Sequence, residues 1–165
     1  MVGREDDGVW VTLKETIHAA PAEVAACLSS AGGLCRWLAV ACEYGSEPGE
    51  TVSISWDREW NSSTTVKILD LEPDVAGEGR CRVRWEWFPD ILDETPVPVE
   101  LTSSPLPDVA GASGGVRVIL RHGPFPDTAD AILTAASSAE EWRWYLCNLR
   151  SVLEAKHDMR AVRPL

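Results

Sequence analysis

Histidine, cysteine and tryptophan are the side chains through which this chain could do chemistry, and their positions restrict what that chemistry is. The three histidines, His18, His122 and His157, fall at the ends of three separate segments. None sits in an HExxH, and the chain has no G-x-S-x-G, P-loop or G-x-G-x-x-G. His122 closes the run "VRVILRH", in which Val116, Val118 and Leu120 alternate with Arg117, Ile119 and Arg121. Alternation therefore turns His122 inward with the valines. A neutral imidazole there could act as an acid or base, hydrogen-bond a ligand, or tie the strand end to a loop backbone. The last is the plainest expectation. The five cysteines are odd in number, lack CxxC spacing and lie in or beside apolar stretches, so they read as buried reduced thiols. Carboxylates are plentiful, but none form a D-x-D-x-D-G loop. The pattern calls for no metal and no cofactor.

Eight tryptophans in 165 residues is the more unusual feature. Trp56, Trp85 and Trp87 share the inward parity of their strands, and Trp142 faces them from a helix. Each indole brings about 200 Å² of rigid apolar surface and one N–H donor. Such a set builds either a solid aromatic core or the wall of a cavity that stacks a flat or greasy ligand. The pocket-lining candidates are Trp37, Trp56, Trp85, Trp87, His122, Trp142 and Leu146. Trp144 falls off the apolar stripe of its helix; exposed beside Tyr145, it would mark a protein contact.

The elements that must position these residues follow from periodicity. "VWVTLKETIHA" alternates as a strand, with Val9, Val11, Leu13 and Ile17 on one face. Pro21 opens a helix with Glu23 in its first turn and Val24, Cys27 and Leu28 on one stripe; "AGG" stops it. "LCRWLA" reads as a second short helix. Strands follow at "ETVSISWD", "STTVKILDLEP", "CRVRWEWF", "VPVELTSS" and "GVRVILRHG". Two long loops, "PDILDETPVP" and "PLPDVAGASG", interrupt them. On the outward faces, Arg82, Arg84 and Arg117 are expected to pair with carboxylates on neighbouring strands, and with so much acid nearby they do not suggest a phosphate site. From Trp142 to Leu153, apolar residues recur at helical spacing, with Asn148 assigned to the polar side.

The order is strand, two short helices, about six or seven strands in all, and one long helix. Without βαβ alternation the sheet is antiparallel, and its apolar face needs a cover. Only the C-terminal helix is long and amphipathic enough. The reading is an α+β single domain over residues 1–165, a curved sheet gripping that helix.

Bulk composition excludes several functions. A net charge of −11 repels nucleic acid and anionic membranes. No apolar run reaches the ~18–20 residues of a membrane span, and the acidic start "MVGREDDGVW" lacks a signal-peptide core. The expected location is the cytoplasm.

Five segments in order resemble the START-like (SRPBCC) superfamily and its helix-grip fold. More narrowly they resemble the bacterial family named after an activator of a heat-shock chaperone ATPase. "IHAAPAEV" is similar to that family's Pro-initiated first helix, and "LCRWLA", with Arg36 and Trp37, to its Leu-x-Arg-Trp-Trp element. "ILDLEP" is similar to its strand ending in Glu-Pro, and "VRVILRHGPFP" to its last strand. "EEWRWYLCNLRSVLE" is similar to its terminal helix. Ala25 and Leu38 stand where the family has tryptophans, and the loop between Ser103 and Gly115 is long, which alters the shape of any pocket. The resemblance implies a hydrophobic small molecule as partner, held between sheet and helix without a defined reaction. A chaperone-regulating protein contact is the first alternative and a cyclase or aromatase the second.

Overall fold

The structure, a computed structural model, describes residues 1–88 and 95–161. Eight strands form one antiparallel sheet: β1 (Val2–Glu5), β2 (Gly8–Ile17), β3 (Ala41–Tyr44), β4 (Thr51–Ser55), β5 (Ser63–Glu72), β6 (Cys81–Trp87), β7 (Val97–Pro105) and β8 (Val116–Phe125). Their spatial order is β1-β2-β8-β7-β6-β5-β4-β3, so the second and last strands are neighbours. The sheet thus has one or two strands more than expected from the sequence. The additions are β1 and β3, four-residue strands at the two edges. All four residues of β1 are exposed, so no apolar alternation announces it. The greater part of the predicted loop "PDILDETPVP" lies outside the described residues; its end, Val97 and Pro98, begins β7.

Alternation sorts the sheet into two faces. Val83 and Trp85 on β6, Val99 and Leu101 on β7, and Val118, Leu120 and His122 on β8 are all buried on the inner one. That face is covered by α3 (Ala129–Arg150), capped by the Thr128 side chain and continued by a π turn over Ser151–Ala155. The first half of α3 buries small residues, Ala131, Thr134, Ala135 and Ser138, and so approaches the sheet closely. From Trp142 onward the buried residues are larger: Trp142, Leu146, Asn148 and Leu149.

Helix α1 (Pro21–Ser29) covers the sheet beside β6 and β7. The second helix falls earlier than the pattern suggested. α2 is Ala31–Leu34, the "AGG" segment that reads as a stop. Ser30 caps it by accepting from Gly33 N–H at 3.1 Å. A Cβ at Gly33 would collide with the Ala26 carbonyl, so glycine here serves close packing rather than termination.

The far end of α3 is fastened by polar groups. Asn148, assigned to the polar side from the sequence, is fully buried. Its Nδ2 donates to the Trp37 carbonyl at 2.9 Å and to Asp158 Oδ1 at 3.1 Å, while its Oδ1 accepts from Met159 N–H at 2.7 Å. Arg160 donates to the Ala39 and Cys35 carbonyls at 2.6 and 2.9 Å. On the opposite flank, inward-facing Glu15 of β2 accepts from Arg143 at 3.3 Å and Arg150 at 3.1 Å.

Candidate functional site

The inner-face register places the candidates in rows. Ile68, Trp85, Val99, His122 and Val11 lie opposite one another across β5, β6, β7, β8 and β2. Trp87 and Val97 form the start of the next row. At about 4.8 Å per strand, Trp85 and His122 stand about 10 Å apart, with Val99 between them.

The tryptophans divide into anchored and unanchored ones. Trp37 is fully buried and its Nε1 donates to the Cys27 carbonyl at 2.8 Å, which fixes the turn after α2 against α1. Trp85 is fully buried and donates to Tyr44 Oη at 3.3 Å, with the rings edge to face at 6.2 Å. Trp56 is half-buried at the end of β4. Among the described residues no ring contact joins Trp37 or Trp56 to the other candidates. Trp87, half-buried, meets Trp142 with centroids 4.9 Å apart. Trp142 continues to Tyr145 at 6.2 Å, and Tyr145 to Trp144 at 5.0 Å. Neither Trp87 nor Trp142 hydrogen-bonds through its indole among the described residues. Leu146, one turn beyond Trp142, is fully buried. The structure therefore gathers Trp87, Trp142 and Leu146 at the sheet–helix seam, with Trp85 and His122 one row deeper.

His122 is the chemical exception on this face. It is fully buried, and neither ring nitrogen has a hydrogen-bond partner among the described residues. The expected tie to a loop backbone is absent among them. Burial pushes the imidazole down to about 3; the Val97 backbone pulls weakly the other way without reaching hydrogen-bond geometry. At neutral pH the ring is uncharged and offers one donor and one acceptor. Its nearest aromatic neighbour is Phe125, with centroids 4.7 Å apart. A register shift between Val9 and Val11 brings Phe125 to the same side as His122 despite their odd spacing. Tyr44 and Phe125 are the contributors that inward parity misses: one sits on an edge strand, the other beyond a bulge.

The thiols are chemically quiet. Cys27 and Cys81 are buried, whereas Cys35, Cys42 and Cys147 are half-buried rather than buried as expected. Burial raises Cys27, Cys35 and Cys81 and pushes Cys42 up to about 12. Of the outward arginines, Arg82 pairs across strands with Asp70 and Glu100 at 2.9 and 2.8 Å. Arg84 and Arg117 have no ion pair among the described residues, contrary to expectation: Arg82 occupies the carboxylates beside Arg84, and the cross-strand neighbours of Arg117 are Thr16 and Ser104.

An arched antiparallel sheet closed by a long final helix is shared by several solved proteins. The Aha1 dimer from Colwellia psychrerythraea is 16% identical, with 88% of this chain and 96% of that one aligned at a TM-score of 0.65. The AHSA1-like protein from Aeromonas hydrophila is 13% identical, with 89% and 93% aligned and a TM-score of 0.60. The fold is the helix grip. DynU16, a protein of the dynemicin biosynthetic locus, has the same helix-grip arrangement at 15% identity and a TM-score of 0.65; 93% of this chain aligns with 49% of that one. No family model and no curated protein matches the sequence. Among the described residues no helix is long and apolar enough to cross a membrane.

Proposed function

We propose that the chain binds a hydrophobic or aromatic small molecule against the inner face of the sheet, with His122 recognising one polar group on it. The observation that carries this reading is the pair of unpartnered His122 nitrogens among apolar neighbours, Val11, Val99 and Phe125. A buried polar atom without a partner costs about 1–3 kcal/mol, and a ligand hydroxyl or carbonyl recovers it. Trp87 and Trp142 supply the stacking surface at the seam, and Leu146 the aliphatic one. Trp37 and Trp85 support the wall, their N–H groups being committed to protein acceptors. An acid–base role for His122 finds no carboxylate, thiol or hydroxyl beside it among the described residues.

The test is a thermal-melt panel of apolar compounds in matched pairs, with and without a hydroxyl or carbonyl, on wild type and His122→Phe. The expected outcome is that polar-headed members raise the melting temperature of wild type by mass action and that the variant loses this preference. Equal shifts in both proteins, or none anywhere, would contradict the proposal.

A second reading is an interaction module, with the protein partner unidentified. The exposed Trp144 and Tyr145 patch that would mark it is met only in part, both residues being half-buried with their rings edge to face at 5.0 Å, and its support is the likeness to Aha1 and AHSA1-like folds. Retention of a chaperone by wild type but not by Trp144→Ala, at unchanged melting temperature, is its expected signature.

A further inference from the structure

The outer face of the sheet carries a groove of about 280 Å³, lined by Trp10, Arg82, Arg84, Pro98, Glu100, Arg121 and Gly123. Its volume stands just below the ~300–1,000 Å³ of common small-molecule sites. It is on the opposite side of the sheet from His122, because Arg121 and His122 are successive residues of one strand.

Register explains its charge. Arg84, Glu100 and Arg121 lie in a row across β6, β7 and β8, and Asp70 of β5 flanks Arg84 on its other side. Arg84 is thus placed between two carboxylates, yet pairs with neither. Arg82 reaches diagonally to both, with Nη1 at 2.9 Å from Asp70 and Nε and Nη2 at 2.9 and 2.8 Å from Glu100. Arg121 is committed as well: its Nη2 donates to both oxygens of Glu5 at 2.7 and 2.8 Å, and its guanidinium stacks 4.2 Å from the Trp10 ring. Trp10 is held in turn by its Nε1 donating to Asp7 at 2.8 Å. The indole rests against Gly123, where any side chain would strike its ring at 2.7 Å. The result is a preset apolar wall, a proline beside it, and one half-buried guanidinium with no ion pair, hydrogen bond or ring contact among the described residues.

We infer that this groove binds a small organic anion, its carboxylate or phosphate on the Arg84 guanidinium and its apolar body against Trp10 and Pro98. A guanidinium presents parallel N–H donors that match either oxyanion. On a chain with net charge −11, a groove lined by three arginines, Arg82, Arg84 and Arg121, and one carboxylate, Glu100, is a place where an anion meets attraction instead of repulsion.

Side-chain NMR of the Arg Nε–H and Trp Nε1–H groups tests this, with benzoate and phenyl phosphate as probes and benzamide as the neutral control. The expected result is saturable shifts at Arg84 and Trp10 with the anions and none with benzamide. Arg84→Gln weakens binding about tenfold or more, while Arg117→Gln, on the same face but outside the groove, leaves it unchanged. The stronger of the two anions identifies the headgroup as carboxylate or phosphate. Circular dichroism of Arg84→Gln confirms that the variant is folded. Absence of saturation, or equal binding by folded Arg84→Gln, overturns the inference.

Discussion

His122 sits where β2, β7 and β8 bring valines to bear on it, and the energetic consequence is specific. An unfolded histidine titrates near 6.5, whereas the folded one is held down to about 3 by burial. Above about 6.5 both states are neutral, so the group adds no pH dependence. As the pH falls from there toward 3, the unfolded chain takes up a proton that the folded chain refuses. Stability is therefore lost at up to about 1.4 kcal/mol per pH unit. Glu154 and Asp158 act in a lower window. Burial opposes ionisation of Glu154, but the His18 N–H and Arg150 hold it below its ordinary value. Arg160 holds Asp158 low in the same way. Their stabilisation is present at neutral pH and lost only as the pH falls through those depressed values. His122→Phe or His122→Leu should raise the neutral-pH unfolding free energy measured in urea by about 1 kcal/mol. Either should also flatten the decline between pH 6.5 and 4.5; a destabilisation of both variants would show that the imidazole has a partner.

At the scale of elements, the helix layer is pinned at points the apolar stripe does not reveal. Asn148 serves three groups at once, so Asn148→Ala should cost about 2–3 kcal/mol in chemical denaturation and loosen the Met159–Ala161 turn. Glu15→Gln weakens a clasp whose two arginines are about half exposed, so solvent screening limits the loss to about 1 kcal/mol. Gly33→Ala should do more harm than either, because it drives a methyl into the α1 backbone; an unchanged midpoint would contradict the close approach. These contacts also show what could be read in advance. β6 alternates so plainly that its face assignment, including Trp85 and Trp87, is legible in the sequence. α3 is legible from its stripe. Asn148 is not, since its polarity argues for solvent and its partners, the Trp37 carbonyl and the folded-back Asp158 and Met159, lie outside its helix. α2 is illegible for a related reason: glycines read as a stop until the helix they must pack against is in place.

The whole molecule is an eight-strand sheet with two usable faces. The inner one is aromatic and uncharged at neutral pH around His122; the outer one is ionic, and in its groove the Arg84 guanidinium is unpaired among the described residues. The arch and its helix were legible from element order alone, since no other element could cover so much apolar surface. The chemistry is only half legible: alternation points His122 inward, but whether it meets a partner depends on β7 and the bulge of β8 at Gly123 and Pro124, which no local pattern encodes. The central claim is that the inner face holds a small molecule through that histidine. Native mass spectrometry of the protein purified from its own source, wild type beside His122→Phe, tests it most directly. The account predicts a one-to-one small-molecule adduct on wild type that is diminished on the variant. A wild-type mass equal to that of the bare chain, together with no uptake from an added panel of polar-headed apolar compounds, would contradict it.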